Sequence, residues 1–140
     1  MDMFKVSASG MEAQSLRMNI IASNLANVET TRTANGGAYR RKDIVFAAQK
    51  PDFNGLLQNS IDRFRSGVEV AGIIEDQRPF KQAYEPNHPD ADDKGYVAYP
   101  NINAAEEMVN MISATRSYEA NVAAYKATRD MALKALELGQ

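Results

Sequence analysis

The residue types that carry chemistry are sparse in this sequence, and none is arranged as a site. His88 is the only histidine, and the chain has no cysteine to complete a metal set with it. Because it stands between Asn87 and Pro89, we interpret it as a turn residue. Serines occur without a base and an orienting acid at a recognisable spacing. The sequence therefore predicts neither a metal centre nor nucleophilic catalysis.

Two further stretches have the composition of ligand-binding loops but fail at key positions. Residues 90–95 partly match a calcium loop, but Lys94 occupies a ligand position and Asn101 stands where the closing glutamate belongs. Gly67 and Gly72 have the spacing of a phosphate-binding loop, but the required Lys and Ser/Thr do not follow them. We expect no enzyme activity, no cofactor and no small-molecule substrate.

Composition narrows the class of protein. At 140 residues the chain is one domain's worth of material, and 16 basic against 18 acidic residues argue against a nucleic-acid partner. Residues 30–66 carry a net charge of +4 and residues 67–100 one of −4, so these patches could pair within one molecule or between neighbours. No apolar run approaches a membrane span, and we see no secretory signal peptide.

Residues 3–28 predict a long helix whose apolar and small side chains form one stripe. Their spacing alternates between three and four positions, as in a heptad seam, with Ser15 as its one polar member. Such a helix would be about 40 Å long, and its stripe needs a partner. The predicted stripe consists of Phe4, Ala8, Met11, Met18, Ala22 and Leu25.

A second helix is predicted over residues 104–138, where Asn103 and Glu106 resemble a capping box. Its Met- and Tyr-rich stripe indicates packing rather than a cofactor site. The simplest partner of each helix is the other, so we predict a mainly α fold whose two long terminal helices form an antiparallel coiled-coil-like pair. The second stripe consists of Ala104, Met108, Met111, Thr115, Tyr118, Val122, Tyr125, Ala132 and Leu136.

A short β-leaning insert is predicted between the helices. Residues 39–47 are compatible with a strand, and we interpret the basic run 40–42 as a solvated or subunit-facing patch. Residues 67–74 form the strongest strand candidate. Residues 76–100 hold four of the five prolines and should run extended or in turns, with a short strand at 96–99.

The predicted organisation is thus discontinuous. Residues 1–30 and 101–140 form one helical core domain, and residues 31–100 form the insert. Within the insert, residues 50–66 fit a short helix and a loop equally well.

Asn24 and Asn27 form the polar end of the first helix, and two interpretations are open. The amides either lower helix propensity and prepare a stop, or bond to neighbouring backbone or subunits and fix register. The residues around them fit a longer pattern: Gly10, nine spacer residues, Ile20-Ile21, then Ala22-Ser23-Asn24-Leu25-Ala26-Asn27, closed by Thr30. This pattern resembles the N-terminal motif of the bacterial flagellar rod and hook proteins, and the resemblance favours the second interpretation.

The C-terminal helix carries a second match to the same family. Residues 107–112 and 116–121 resemble its terminal motif, and residues 85–92 and 96–103 are most similar to the short proximal rod members of the flagellar basal-body rod proteins. Residues 31–66 match weakly.

The resemblance implies an axial structural subunit. It would be exported by the flagellar type III apparatus without a cleaved signal peptide and assemble helically in the periplasmic rod of the basal body. The implied partners are copies of itself, other proximal and distal rod proteins and the adaptor at the export gate and MS ring. Packing and register, not chemistry, are implied for Asn24, Leu25, Ala26, Asn27, Thr30, Met108, Asn110, Met111, Arg116, Tyr118, Asn121, Val122 and Tyr125.

Two alternatives stay open at this point. The chain could be another axial subunit, from the rod or the hook junction, built on the same physics. It could instead be a coiled-coil adaptor or secretion chaperone that binds a client through its stripes.

Overall fold

The computed structural model describes residues 2–34, 36–49 and 67–138. The open choice between helix and loop at residues 50–66 lies outside these residues. Two long helices flank two small antiparallel sheets in the sequence, which confirms the helical termini and the β-containing insert. The elements are α1 (Asp2–Ala26), β1 (Lys42–Ala48), β2 (Val68–Glu75), β3 (Lys81–Tyr84), β4 (Tyr96–Tyr99) and α2 (Ala104–Glu137).

The two helices pack side by side in opposite directions. The rings of Phe4 and Tyr125 meet edge to face with centroids 5.2 Å apart, while Asn24 at the other end of α1 bonds to Glu107. Midway, a Cβ on Gly10 would lie 2.9 Å from the Asn121 side-chain oxygen. A Cβ here would force the Asn121 amide to shift, so glycine leaves room for this side chain between the helices.

The predicted stripes are wrong by about one residue on both helices. Ala8 and Ala22 are exposed, and Met108 is 54% exposed. Small and polar side chains lie between the helices instead, because they let the two backbones approach, and the larger apolar side chains are left at the margins or outside. The residues of the two helices with the least exposure are Ser7, Gly10, Ala13, Ile21, Asn24, Glu107 and Ala114.

α2 is longer than α1, with 34 residues against 25. Because Phe4 lies against Tyr125, about the last three turns of α2 extend beyond the start of α1. The apolar side chains of this overhang are exposed, including Met131, Leu133, Leu136 and Leu138. At the opposite end, Asn103 caps α2 by accepting a hydrogen bond from the Ala105 amide at 3.1 Å.

The β1–β2 sheet lies along α1. Lys42, at the start of β1, bonds to Asn24, and the Val68 amide of β2 donates to Ser9 Oγ at 3.1 Å. The fifteen steps from residue 9 to residue 24 span about 22 Å of helix, and the six steps from Lys42 to Ala48 span about 20 Å of strand. The similar lengths let the sheet contact α1 at both ends.

The strands predicted near residues 39–47, 67–74 and 96–99 are confirmed as β1, β2 and β4. β3 was not predicted as a strand, because the four residues of β3 have no strand pattern of their own. It pairs with β4, in which Val97 is fully buried; Ile102, just before α2, is buried as well.

Candidate functional site

Asn24 is fully buried at the end of α1 and clamps the first residue of β1. Its Nδ2 donates to the Lys42 carbonyl at 2.8 Å, and its Oδ1 accepts from the Lys42 amide at 3.0 Å. The side-chain amide thus bonds to the strand edge as a neighbouring backbone would. Of the common side chains, only an amide supplies both a donor and an acceptor in this geometry.

Glu107, in the first turn of α2, is fully buried opposite Asn24. One carboxylate oxygen accepts from Asn24 Nδ2 at 3.0 Å, and the other accepts from Arg41 Nε at 2.8 Å. A buried carboxylate is costly unless it is paired and hydrogen-bonded, and both conditions are met here. The contact brings together residues 83 positions apart in the sequence.

Arg41 links the carboxylate of Glu107 to the insert. Its side chain is only 9% exposed, and its Nη1 lies 2.9 Å from Asp43 Oδ2 and 3.8 Å from Asp76 Oδ2. Burial alone would lower the pKa of the guanidinium, but the hydrogen bonds to Glu107 and Asp43 outweigh it and raise the pKa above its ordinary value. Arg41 is therefore a permanent buried cation.

Asn101 joins the segment before α2 to the same cluster. Its Oδ1 accepts from the Arg41 amide at 3.0 Å, and its Nδ2 donates to the carbonyls of Asp76 and Arg78. We call Asn24, Arg41, Asn101 and Glu107 the polar junction. It connects α1, the start of β1, the end of β2 and the start of α2.

Asp76 lies at the edge of the polar junction and gives it a pH dependence. Hydrogen bonds from the Arg78 side chain and backbone lower the pKa of this carboxyl below the ordinary aspartate value. A lowered pKa in the folded state stabilises the fold above the ordinary value and loses that contribution as pH falls towards the lowered one. We expect the wild type to lose more stability than Asp76→Asn on acidification through this window, as measured by urea unfolding at a series of pH values. Parallel pH curves for the two proteins would contradict this expectation.

The polar junction holds no arrangement for turnover, and its donors and acceptors bind one another. Among the residues that the structure describes, no group of three or more His, Cys, Asp or Glu side chains could hold a metal ion. His88 accepts a hydrogen bond from the Asp90 amide, as a turn residue would. Asp92 caps the turn before β4 by accepting from the Lys94 and Tyr96 amides.

The other motif residues of the first helix serve local structure in the single chain. Asn27 Nδ2 donates to the Ser23 carbonyl at 2.8 Å, and Thr30 Oγ1 donates to Asn27 Oδ1 at 3.1 Å. These bonds close the C-terminal end of α1. Leu25 is half-buried and Ala26 is exposed.

The predicted residues of α2 divide into two groups. Those that lie towards α1 are half-buried, and Asn121 among them donates to the Ser117 carbonyl beside Gly10. The others are exposed, although the ring of Tyr125 still contacts Phe4 of α1. The half-buried group comprises Asn110, Met111, Tyr118, Asn121 and Val122, and the exposed group comprises Met108, Arg116 and Tyr125.

The structure shows that the interpretation of the basic run 40–42 was wrong at Arg41. Arg41 belongs to the basic run 40–42, which was interpreted as a solvated or subunit-facing patch, yet it is buried. Its burial depends on Glu107, 66 positions away, so the local sequence holds no sign of it. Arg41, Asn101 and Glu107 are missing from the predicted set. No signal in the sequence pointed to Glu107 either, since Glu106 beside it is exposed and only the structure separates the two.

Comparison with known families accounts for both helices. A family model described as flagella basal body rod protein matches residues 4–32, which cover nearly all of α1, including the motif at its C-terminal end. A second model, described as flagellar basal body rod FlgEFG protein C-terminal, matches residues 93–138, which cover β4 and α2. The two matches together thus include both terminal helices.

Similarity to individual proteins extends over nearly the whole chain. The flagellar basal-body rod protein FlgC of Bacillus subtilis (strain 168) is 44% identical over 142 residues, covering 96% of this chain and 95% of the relative. FlgC of Salmonella typhimurium (strain LT2) is 41% identical over 140 residues, covering 100% and 98%. The chain belongs to the FlgC family of flagellar basal-body rod proteins. It is a structural protein of the flagellar basal body.

Of the helices that the structure describes, neither has the length and apolar content that crossing a membrane requires.

Proposed function

We propose that this chain is a subunit of the proximal rod, exported by the flagellar type III apparatus without a cleaved signal peptide and assembled helically in the periplasm. Its partners are copies of itself, other proximal and distal rod proteins, and the adaptor at the export gate and MS ring. The observation that carries this proposal is the similarity to FlgC proteins over nearly the full length of both chains.

The helical part, residues 1–30 and 101–140, forms the axial core, and residues 31–100 form the outward insert. We infer that α1 and α2 act there as an antiparallel coiled-coil-like pair, which neighbouring pairs extend into a continuous layer. The opposite directions of the helices and the close approach at Gly10 support the pairing. The residues to which the resemblance assigns packing and register then divide into two groups. Some pack within the helix pair, and the others contact neighbouring subunits.

Exposed apolar side chains support contacts with neighbours. Met108, Val109 and Ile112 are each more than half exposed on one region of α2, and the overhang exposes more. Contiguous apolar surface of this kind is a mark of interaction sites. A monomer gains nothing from it, whereas a subunit within a tube would bury it.

Met108→Glu tests this role directly. Because the side chain is exposed, we expect the free energy of unfolding of the isolated chain to change by less than about 0.5 kcal/mol. Export should also continue, but a charge in an apolar contact should prevent incorporation into the rod. The measurements are immunoblots of the chain in secreted fractions and in purified basal bodies, together with swimming.

Met108→Leu, which conserves the apolar character and approximate volume, is the matched control and should incorporate normally. Normal rods and swimming with Met108→Glu would remove this residue from the assembly surface. Absence of the wild-type chain from purified basal bodies would refute the proposed function itself.

A further inference from the structure

The β1–β2 sheet contacts α1 at two places of very different character. At one end, the Val68 amide bonds to the Ser9 hydroxyl. At the other end, the polar junction fixes both backbone groups of Lys42 and the amide of Arg41. The first contact is a single neutral hydrogen bond, whereas the second is a buried network with two charged members.

Apolar packing alone leaves the orientation of the sheet weakly defined. Ile44 of β1 is buried, but Ile73 and Ile74 of β2 are about half exposed. Phe46 and Val70 are only half-buried. Hydrophobic contact is also non-directional, so this limited burial permits several angles between sheet and helix. The hydrogen bonds of the polar junction are directional, and they hold the start of β1 from several sides.

The bonds of the polar junction depend on one another. Asn24 Nδ2 donates to the Lys42 carbonyl and to Glu107, while Glu107 also accepts from Arg41. Glu107 therefore orients both the amide and the guanidinium that hold β1. The bonds that hold the start of β1 thus join it to the first turn of α2 as well as to the end of α1.

We propose that Arg41 and Glu107 are positioning residues for rod assembly, which fix the angle of the β1–β2 sheet against the helix pair through Asn24. This inference rests on the proposed function. It assigns the ion pair a role beyond stability, since the sheet is part of the insert that a neighbouring subunit would contact. A buried ion pair is suited to such a role. Apolar residues of similar volume often provide the same stability, but they do not provide the directional hydrogen bonds that fix an orientation.

The double variant Arg41→Met/Glu107→Leu separates positioning from stability. We expect the full chain to unfold at a temperature close to that of the wild type. Hydrogen exchange of the Arg41-position and Lys42 amides, followed by NMR, should be about tenfold faster or more. Exchange in the middle of β1 and β2 should change little, and incorporation into basal bodies should be lost.

A neighbouring exposed pair provides the matched control. Arg78 Nη1 lies 3.9 Å from Glu106 Oε2, and both side chains are about half exposed. Arg78→Met/Glu106→Leu makes the same chemical changes at exposed positions. It also removes the Arg78–Asp76 ion pair at the edge of the polar junction, so it controls for charge lost there while Arg41 and Glu107 stay in place. Its Lys42 amide should exchange at the wild-type rate, and its incorporation should be retained.

Arg41→Lys keeps the test decisive should the double variant fold poorly. Lysine conserves the charge beside Glu107 but lacks the planar fork that donates to Glu107 and Asp43 together. We expect faster exchange at Lys42 and reduced incorporation. Rods and swimming at wild-type levels in either variant would overturn the inference, as would an equal loss of protection at every amide. With the wild-type chain present in basal bodies, those results would leave the proposed function intact.

Discussion

Arg41→Ala is expected to lower the free energy of unfolding by about 3–5 kcal/mol, one of the two largest effects that we predict for a single substitution. The variant removes the cation but leaves the Glu107 carboxylate, which is fully buried, without its charged partner. The substitution also removes the guanidinium that pairs with Asp43 and lies near the Asp76 carboxylate. Urea unfolding of the isolated full-length chain, followed by circular dichroism, measures the loss.

Arg116→Ala is the control for removal of an arginine as such. Arg116 is exposed on α2, and substitution at such positions usually changes stability by less than about 0.5 kcal/mol. The contrast between the two variants isolates the effect of burial. An Arg41→Ala variant within about 1 kcal/mol of wild type would mean that Glu107 readily reaches water, and the polar junction would then not be a closed network.

The size of this effect depends on which partner remains. Removing only Arg41 strands a buried charge, whereas removing both charges in Arg41→Met/Glu107→Leu strands none. Stability should therefore recover in the double variant while the fixed orientation of β1 does not. The free energy of unfolding alone cannot report both outcomes. The double variant must therefore be judged by its stability and by the amide exchange at the start of β1 together.

The sequence predicts the elements of this fold better than their contacts. α1, α2 and β2 follow from local patterns: alternating three- and four-residue spacing, a capping asparagine at residue 103 and a run rich in Val and Ile. β3 could not be predicted because pairing with β4, not its own composition, makes it a strand.

The stripes were wrong for a related reason. Periodicity finds the face with the most apolar residues, but two helices in one chain can instead pack through small residues such as Gly10 and Ala114. The same limit applied to Arg41, whose neighbours in sequence suggest an exposed basic run. Asn24 could be proposed because it belongs to a recognisable motif, whereas its bonds to Lys42 and Glu107 required the structure.

Asn24→Asp is expected to be as disruptive as Arg41→Ala near neutral pH, although it changes only one group of atoms. The substitution replaces the donor that lies 2.8 Å from the Lys42 carbonyl and 3.0 Å from Glu107 with an oxygen. Two carboxylates would then face each other in a buried site, and the Lys42 carbonyl would lose its partner. Unpaired buried groups and like charges each cost about 1–3 kcal/mol or more.

The pH dependence of this variant distinguishes repulsion from simple loss of packing. Burial and the neighbouring Glu107 carboxylate should raise the pKa of the introduced aspartate in the folded state above its unfolded value. The folded state then binds more protons than the unfolded state, so stability falls as pH rises and recovers as pH drops from 7 towards about 4.5. Asn27→Asp, three residues on and less buried, should show little of this recovery. Urea unfolding at several pH values measures both variants. A deficit of Asn24→Asp that stays constant or widens on acidification would show that the lost donor, not the added charge, is responsible.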